Sequence, residues 1–270
     1  MMKKILLGTI LLTALGLLAY RQSHHPEPTT VSGQSMGTSW HLRSASPEKF
    51  AALIQQELDT IENALSTWNE NSELCRYNRG EIDEPSAILS EALALAGQFE
   101  IQTDGKFTPH ILRAVSNAGF APKSATTVHQ IDLSAMAKGY AVDRVRDCLR
   151  AAGLHDFVFE LGGEIFASGC RPDGSPWKVV ITNPHGGIGK IITLHNQALA
   201  TSGNQYQIAA VSDDGQIASH LIDPATGKPI QRPLSSVSVI AEDCVTADAW
   251  ATAAFIAGPQ ADLPVTTIWQ

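Results

Sequence analysis

Two oxygen-bearing side chains on one helix-like run suggest metal chemistry. Asp248 and Thr252 are four residues apart within Ala247–Ala257, so on a helix they project from one face, one turn apart. A carboxylate with a hydroxyl suits a hard cation such as Mg²⁺, which keeps waters and shares phosphate oxygens. The plainer alternative is a helix cap at Asp248 and a packed Thr252. Asp132-Leu133-Ser134 reads as a helix N-cap. With Lys138 one to two turns inside, the same helix start would also hold a pyrophosphate on its free N–H groups. Gly139 would let chain or cofactor approach closely. Histidine is the side chain suited to proton transfer near neutral pH, and His220 precedes the turn-rich Ile222-Asp223-Pro224-Ala225-Thr226-Gly227, which reads as a loop where a side chain can face a cleft. It serves there either as a proton acceptor or as a structural group bonding the loop backbone. Gly162-Gly163 is either a tight turn or a place of close cofactor approach. Phosphate-loop, dinucleotide-fingerprint, nucleophile-elbow and H-E-x-x-H motifs are absent.

The elements that would position these groups mix two periods. Apolar spacing predicts helices over Ser46–Leu65, Ser86–Ile101, Leu133–Ala152 (stopped by Gly153) and Ala247–Ala257 (stopped by Gly258). Strand-like runs cover Phe157–Phe159, Lys178–Thr182, Ile191–Leu194, Gln207–Val211 and Ser236–Ala241, with a hairpin-like turn at Ser212–Gly215. Without a regular βαβ alternation, this implies an α+β fold whose mixed, largely antiparallel sheet packs with helices.

The chain has 270 residues, 44% hydrophobic and 17% charged, an ordinary globular composition. Its 19 Lys and Arg against 27 Asp and Glu give a net charge of −8 and leave no basic patch, so no nucleic-acid partner is expected. Three of the cations, Lys3, Lys4 and Arg21, frame the uncharged run Ile5–Tyr20. Residues 1–22 therefore read as a signal peptide or membrane anchor, 23–33 as a linker and 34–270 as one domain. The lysines would stay cytoplasmic, with the body on the periplasmic side of the inner membrane. The four cysteines show no C-x-x-C pair, which disfavours zinc and leaves disulfide pairing open.

Eight stretches, taken in order, resemble the FAD:protein FMN transferase family, the ApbE-like flavin transferases. They are Ser35–Thr38, Leu65–Trp68, Thr103–Phe107, Asp132–Tyr140, Glu160–Glu164, Ala200–Gly203, Ser219–Pro229 and Thr246–Thr252. The resemblance runs from about Met36 to Gly258 and implies that the exported domain, 34–270, binds FAD and Mg²⁺. Such a domain transfers FMN to a Thr hydroxyl of an acceptor flavoprotein, releasing AMP. It implies FAD contacts at Met36, Trp68, Lys106, Phe107, Thr108, Asp132, Lys138 and Ile222. It also implies Mg²⁺ ligands at Asp248, Thr252 and the Ala135 carbonyl, with His220 as the base. The implied acceptors are envelope subunits of sodium-pumping or Rnf-type electron-transport complexes. This chain departs from the pattern at Trp68 (commonly Tyr), Thr108 (often Asp) and Ala251 (a carboxylate in some members). The twelve residues after Gly258 are expected to leave a strand edge exposed. Two other activities compete: an FAD pyrophosphatase yielding FMN and AMP, and a non-catalytic flavin-binding protein of the envelope.

Overall fold

Phe157, Phe159 and Leu161 are fully buried while Val158 and Glu160 between them are half-buried, the period of two that makes a sheet strand. That strand belongs to a seven-stranded sheet in a computed structural model that describes residues 27–122, 128–205, 208–211 and 217–270. The sheet order is β1 (Thr29–Ser35), β2 (Thr38–Ser44), β3 (Phe157–Leu161), β4 (Glu164–Ser168), β7 (Gln197–Gly203), β11 (Ser236–Ala241) and β12 (Thr266–Trp269). A hairpin of β5 (Trp177–Thr182) and β6 (Ile188–Leu194) covers one face, burying Trp177, Val179 and Ile181 against Ala167 and Leu199. A second sheet orders β10 (Lys228–Arg232), β9 (Ile217–Asp223) and β8 (Ile208–Val211). Every ladder among the described residues is antiparallel.

Helices cover the other face of the large sheet. Pro47–Phe50 forms one 3₁₀ turn that leads into α1 (Ala51–Leu65), whose Ile54, Leu58, Ile61 and Leu65 face the core. The short α2 (Glu73–Asn78) and α4 (Leu112–Asn117) flank α3 (Ala87–Gln102), where Ser86 Oγ caps the Leu89 amide. α5 (Ala137–Ala151) packs on α6 (Cys244–Ala257). α6 is buried on nearly every side, so Asp248 and Thr252 are oxygens set inside an apolar helix.

Several expectations change. The 23–33 linker gives way at Thr29 to β1, whose Thr29–Ser35 pairs residue for residue with Ser44–Thr38 of β2. The last twelve residues supply β12, which pairs with β11 from Val237 to Ile240 and becomes the terminal strand, so the sheet edge lies at β12 rather than β11. α5 begins at Ala137 rather than Leu133, because Leu133–Met136 forms a tight turn whose Leu133 carbonyl accepts both the Met136 and Ala137 amides. Asp132 therefore does not cap the helix. The four cysteines are free thiols. No helix of the described residues is long and apolar enough to cross a membrane. The run Ile5–Tyr20, Gln207 and the Ser212–Gly215 turn lie outside those residues.

Candidate active site

The centre of the site is the crossing of α5 and α6. Gly139, in the first turn of α5, donates its amide to Asp248 Oδ2 at 2.9 Å, so a free N–H at the positive end of one helix meets a carboxylate of the other. The Ala137 and Tyr140 amides are already bonded to the Leu133 and Met136 carbonyls. The start of α5 thus serves Asp248, and the expectation of a row of free amides for a pyrophosphate is not met. The crossing is tight: a Cβ on Gly139 would sit 2.7 Å from the Asp248 Cβ and also press on the Cys244 carbonyl. Gly139→Ala is expected to force the helices apart, lowering stability in urea unfolding by about 1–3 kcal/mol. An unchanged midpoint would show slack at the crossing.

Asp143 locks the same junction. Its carboxylate accepts the Cys244 amide at 2.9 Å and the Val245 amide at 2.8 Å, and pairs with Arg146 at 2.6 Å, while Asp243 caps the Thr246 amide. Burial pushes the Asp143 carboxyl from 3.8 up to about 6, against the opposing pull of Arg146 and the two amides. Between about pH 4 and pH 6 the folded protein therefore retains a proton that the unfolded chain has released. This contribution to stability is present at the acid end and is lost as the pH rises through that window, by on the order of 2–3 kcal/mol. Urea unfolding from pH 4 to 7 should show wild type losing that much relative to Asp143→Asn; parallel curves would refute the shift.

Around Asp248 the charges do not balance. Lys138 Nζ lies 2.5 Å from Glu164 Oε2, and Glu164 is 1% exposed. Burial, and then the neighbouring Glu164, push the Asp248 carboxyl up to about 8, although Lys138 and the Gly139 amide oppose the rise. Burial likewise raises Glu164 despite its ammonium partner. Burial works against the Lys138 charge, yet Glu164 and Asp248 together hold its value above the ordinary one. Two buried carboxyl groups share one ammonium, so the second negative charge is disfavoured here, and a divalent cation would favour it. Among the described residues, no set of three His, Cys, Asp or Glu side chains could hold a metal. A cation here would draw on mixed hard oxygens: Asp248, the Thr252 hydroxyl (3.2 Å from Ser202 Oγ) and the Ala135 carbonyl just ahead of α5. That donor set fits a cation such as Mg²⁺.

The other expected residues lie on surrounding elements. Met36 occupies the β1–β2 turn with φ +50, its amide held by Glu62 at 3.0 Å. The neighbouring β3–β4 turn, Gly162-Gly163, delivers Glu164; Gly162 donates to the Ser39 carbonyl and lies so close to Thr38 that a Cβ would clash at 2.7 Å. Asp132 is buried, and its Oδ1 accepts the Ser134 amide at 2.7 Å and the Ser134 hydroxyl, an Asx turn. Its own amide donates to the Pro109 carbonyl, which brings Lys106–Thr108 alongside. Lys106 sits in the turn after Asp104 and Gly105, both at positive φ. The Phe107 ring belongs to the core, edge-on to Phe99 with centroids 6.0 Å apart, so it braces this shelf and any ligand contact falls to its backbone. Thr108 bonds Glu100 and lines a groove of about 280 Å³ with Arg113, Asn117, Pro224 and Gly227.

His220 lies within β9, ahead of the turn that follows Asp223. There Ser219, His220 and Leu221 oppose the single Ile230, since Ile222 pairs with Pro229 and Ala218 with Gln231. This irregularity stands at a position where bulges re-aim side chains. The imidazole is edge-on to Phe120, with ring centroids 6.2 Å apart. The Ile222 side chain is buried with Leu112, Val115 and Ala121. Trp68 stands apart, 65% exposed after α1. Glu164, Asp143 and Ser202 were not among the expected site residues. Glu164 alone had a local signal, an acid opening the otherwise apolar strand Glu164–Ser168 directly after two glycines.

The arrangement has close relatives. The ApbE family model matches residues 36–130 and 125–267. An FAD:protein FMN transferase of Vibrio cholerae is 29% identical over 283 residues, covering 88% of this chain and 84% of its own. One from Chlamydia pneumoniae is 30% identical over 287 residues, covering 90% and 88%. Among solved structures, the flavin transferase ApbE from Vibrio cholerae superposes with a TM-score of 0.74 at 28% identity, over 87% of this chain and 88% of that one. The apo form of the Pseudomonas stutzeri flavinyl transferase ApbE gives 0.76 at 27%, over 87% and 86%. With both the sheet end that carries Met36 and the helix that carries Asp248 and Thr252 inside the matched residues, the chain belongs to the ApbE family.

Proposed function

We propose that this protein is an FAD:protein FMN transferase that uses Mg²⁺ to move FMN from FAD onto a Thr hydroxyl of an acceptor protein, releasing AMP. The observation that carries this is the Asp248 carboxyl, buried between α5 and α6, held by the Gly139 amide and one turn from the Thr252 hydroxyl. Asp248, Thr252 and the Ala135 carbonyl would hold the cation; when bound, it neutralises pyrophosphate charge and orients the phosphorus for displacement. The shelf of Lys106–Thr108 and Asp132, with Met36, Lys138 and Ile222, would seat FAD, and Trp68 would offer an exposed aromatic surface. The acceptor Thr oxygen attacks the FMN phosphorus, His220 takes the hydroxyl proton, and the bond to the AMP oxygen breaks.

The Lys3–Arg21 charge frame supports an exported protein at the inner membrane, acting on envelope flavoproteins of sodium-pumping or Rnf-type complexes. The test of the activity is incubation with FAD, Mg²⁺ and a Thr-bearing acceptor domain. A fluorescent acceptor, absent when its Thr is replaced by Ala, is expected. Free FMN and AMP with an unlabelled acceptor would instead make it a pyrophosphatase, and unchanged FAD a binding protein.

A further inference from the structure

Lys138 has two carboxylates within electrostatic reach, Glu164 and Asp248, and it is bonded to only one of them. Its ammonium lies 2.5 Å from Glu164 Oε2, whereas Asp248 Oδ2 accepts the Gly139 amide. Among the described residues, no ion pair joins Lys138 to Asp248. The choice is built into the backbone. Glu164 is the first residue of β4, fixed by the Gly162-Gly163 turn at φ +60 and +106, and Glu160 Oε1 accepts the Gly163 amide at 2.7 Å. Only glycines adopt those two conformations readily, so the turn sets where the Glu164 carboxylate enters the site.

We propose that Glu164 is a positioning residue that holds the Lys138 ammonium away from Asp248 and so leaves that carboxylate open to a divalent cation. The proposal rests on the reading above that Asp248 binds the cation. Without Glu164, the half-buried ammonium turns to its other carboxylate, because leaving a desolvated charge unpaired costs more than moving a flexible side chain. An ion pair at Asp248 then competes directly with the metal. Glu164 would thus govern metal affinity without touching the metal.

The experiment titrates the full chain with Mg²⁺ alone, without FAD or acceptor, by calorimetry. Glu164→Gln is expected to weaken Mg²⁺ binding about 10–100-fold, the range for partners that orient metal ligands. Adding Lys138→Met to that variant should restore most of the affinity, because the competing ammonium is gone; a merely structural role for Glu164 would give no such rescue. Unchanged affinity in Glu164→Gln, or a double variant as weak as the single one, overturns the proposal. Asp248→Asn separates the two levels. If it loses Mg²⁺ binding while Glu164→Gln does not, only the role of Glu164 fails; if it binds like wild type, the cation reading fails and the proposal with it. Should Glu164→Gln not fold, Glu164→Asp, with its carboxylate drawn back by one methylene, is read by the same weakening and the same rescue.

Discussion

Asp248→Asn is expected to abolish flavin transfer while the protein stays folded. Asn keeps an oxygen that can accept the Gly139 amide, so the bond that ties α6 to the start of α5 survives. What disappears is the negative charge. Asp248 is the one carboxylate in the proposed donor set, and Ala251, one residue before Thr252, is fully buried and offers no second. Loss of that ligand and of its electrostatic effect at the phosphorus should cost several kcal/mol in the transition state, a rate loss of about 10³-fold or more. The metal-free variant should also unfold no earlier than metal-free wild type, because burial and Glu164 already disfavour the Asp248 charge and Asn stands in for a largely protonated carboxyl. Acceptor labelling measured across Mg²⁺ concentrations checks this. Near-native rates at low Mg²⁺ would remove Asp248 from the metal site.

His220→Ala is the second. A general base contributes about 10²–10⁴-fold, and transfer should fall by that factor while FAD binding persists. The imidazole sits in the bulged stretch of β9, edge-on to Phe120. The neighbours Leu221 and Ile222 are buried in two separate apolar clusters and hold the strand without it. Truncation therefore removes the proton acceptor and leaves the strand anchored. FAD binding followed by flavin fluorescence, beside the labelling rate, separates the roles. Lost FAD binding or early melting would make His220 structural, and full activity would eliminate both roles.

The parts of this fold legible in the sequence are those with local causes. Ile54, Leu58, Ile61 and Leu65 recur at helical spacing and do form the buried face of α1. Gly258 at φ +93 ends α6 where its position suggests. β1 was hidden because Thr29–Ser35 is polar and takes its order from pairing with β2, and β12 likewise exists through β11. The same division runs through the site. Asp248 and Thr252 stand out by being one turn apart. Glu164 gains its meaning from Lys138, 26 residues away, and Gly139 from Asp248, 109 residues away. Strand β9 around His220 went unread, and no local pattern marks the register shift beside it.

The Gly139–Asp248 and Asp143–Cys244 bonds span 109 and 101 residues, so the last helix is recruited by a part of the chain made long before it. Contacts of such separation carry a loop-closure cost that local contacts do not, and a fold rich in them forms more slowly. A chain released before Cys244 has neither carboxylate nor hydroxyl of the proposed metal set, and a chain whose final helix has not docked lacks the geometry. Assembly of the proposed metal set therefore requires that this helix has docked on α5.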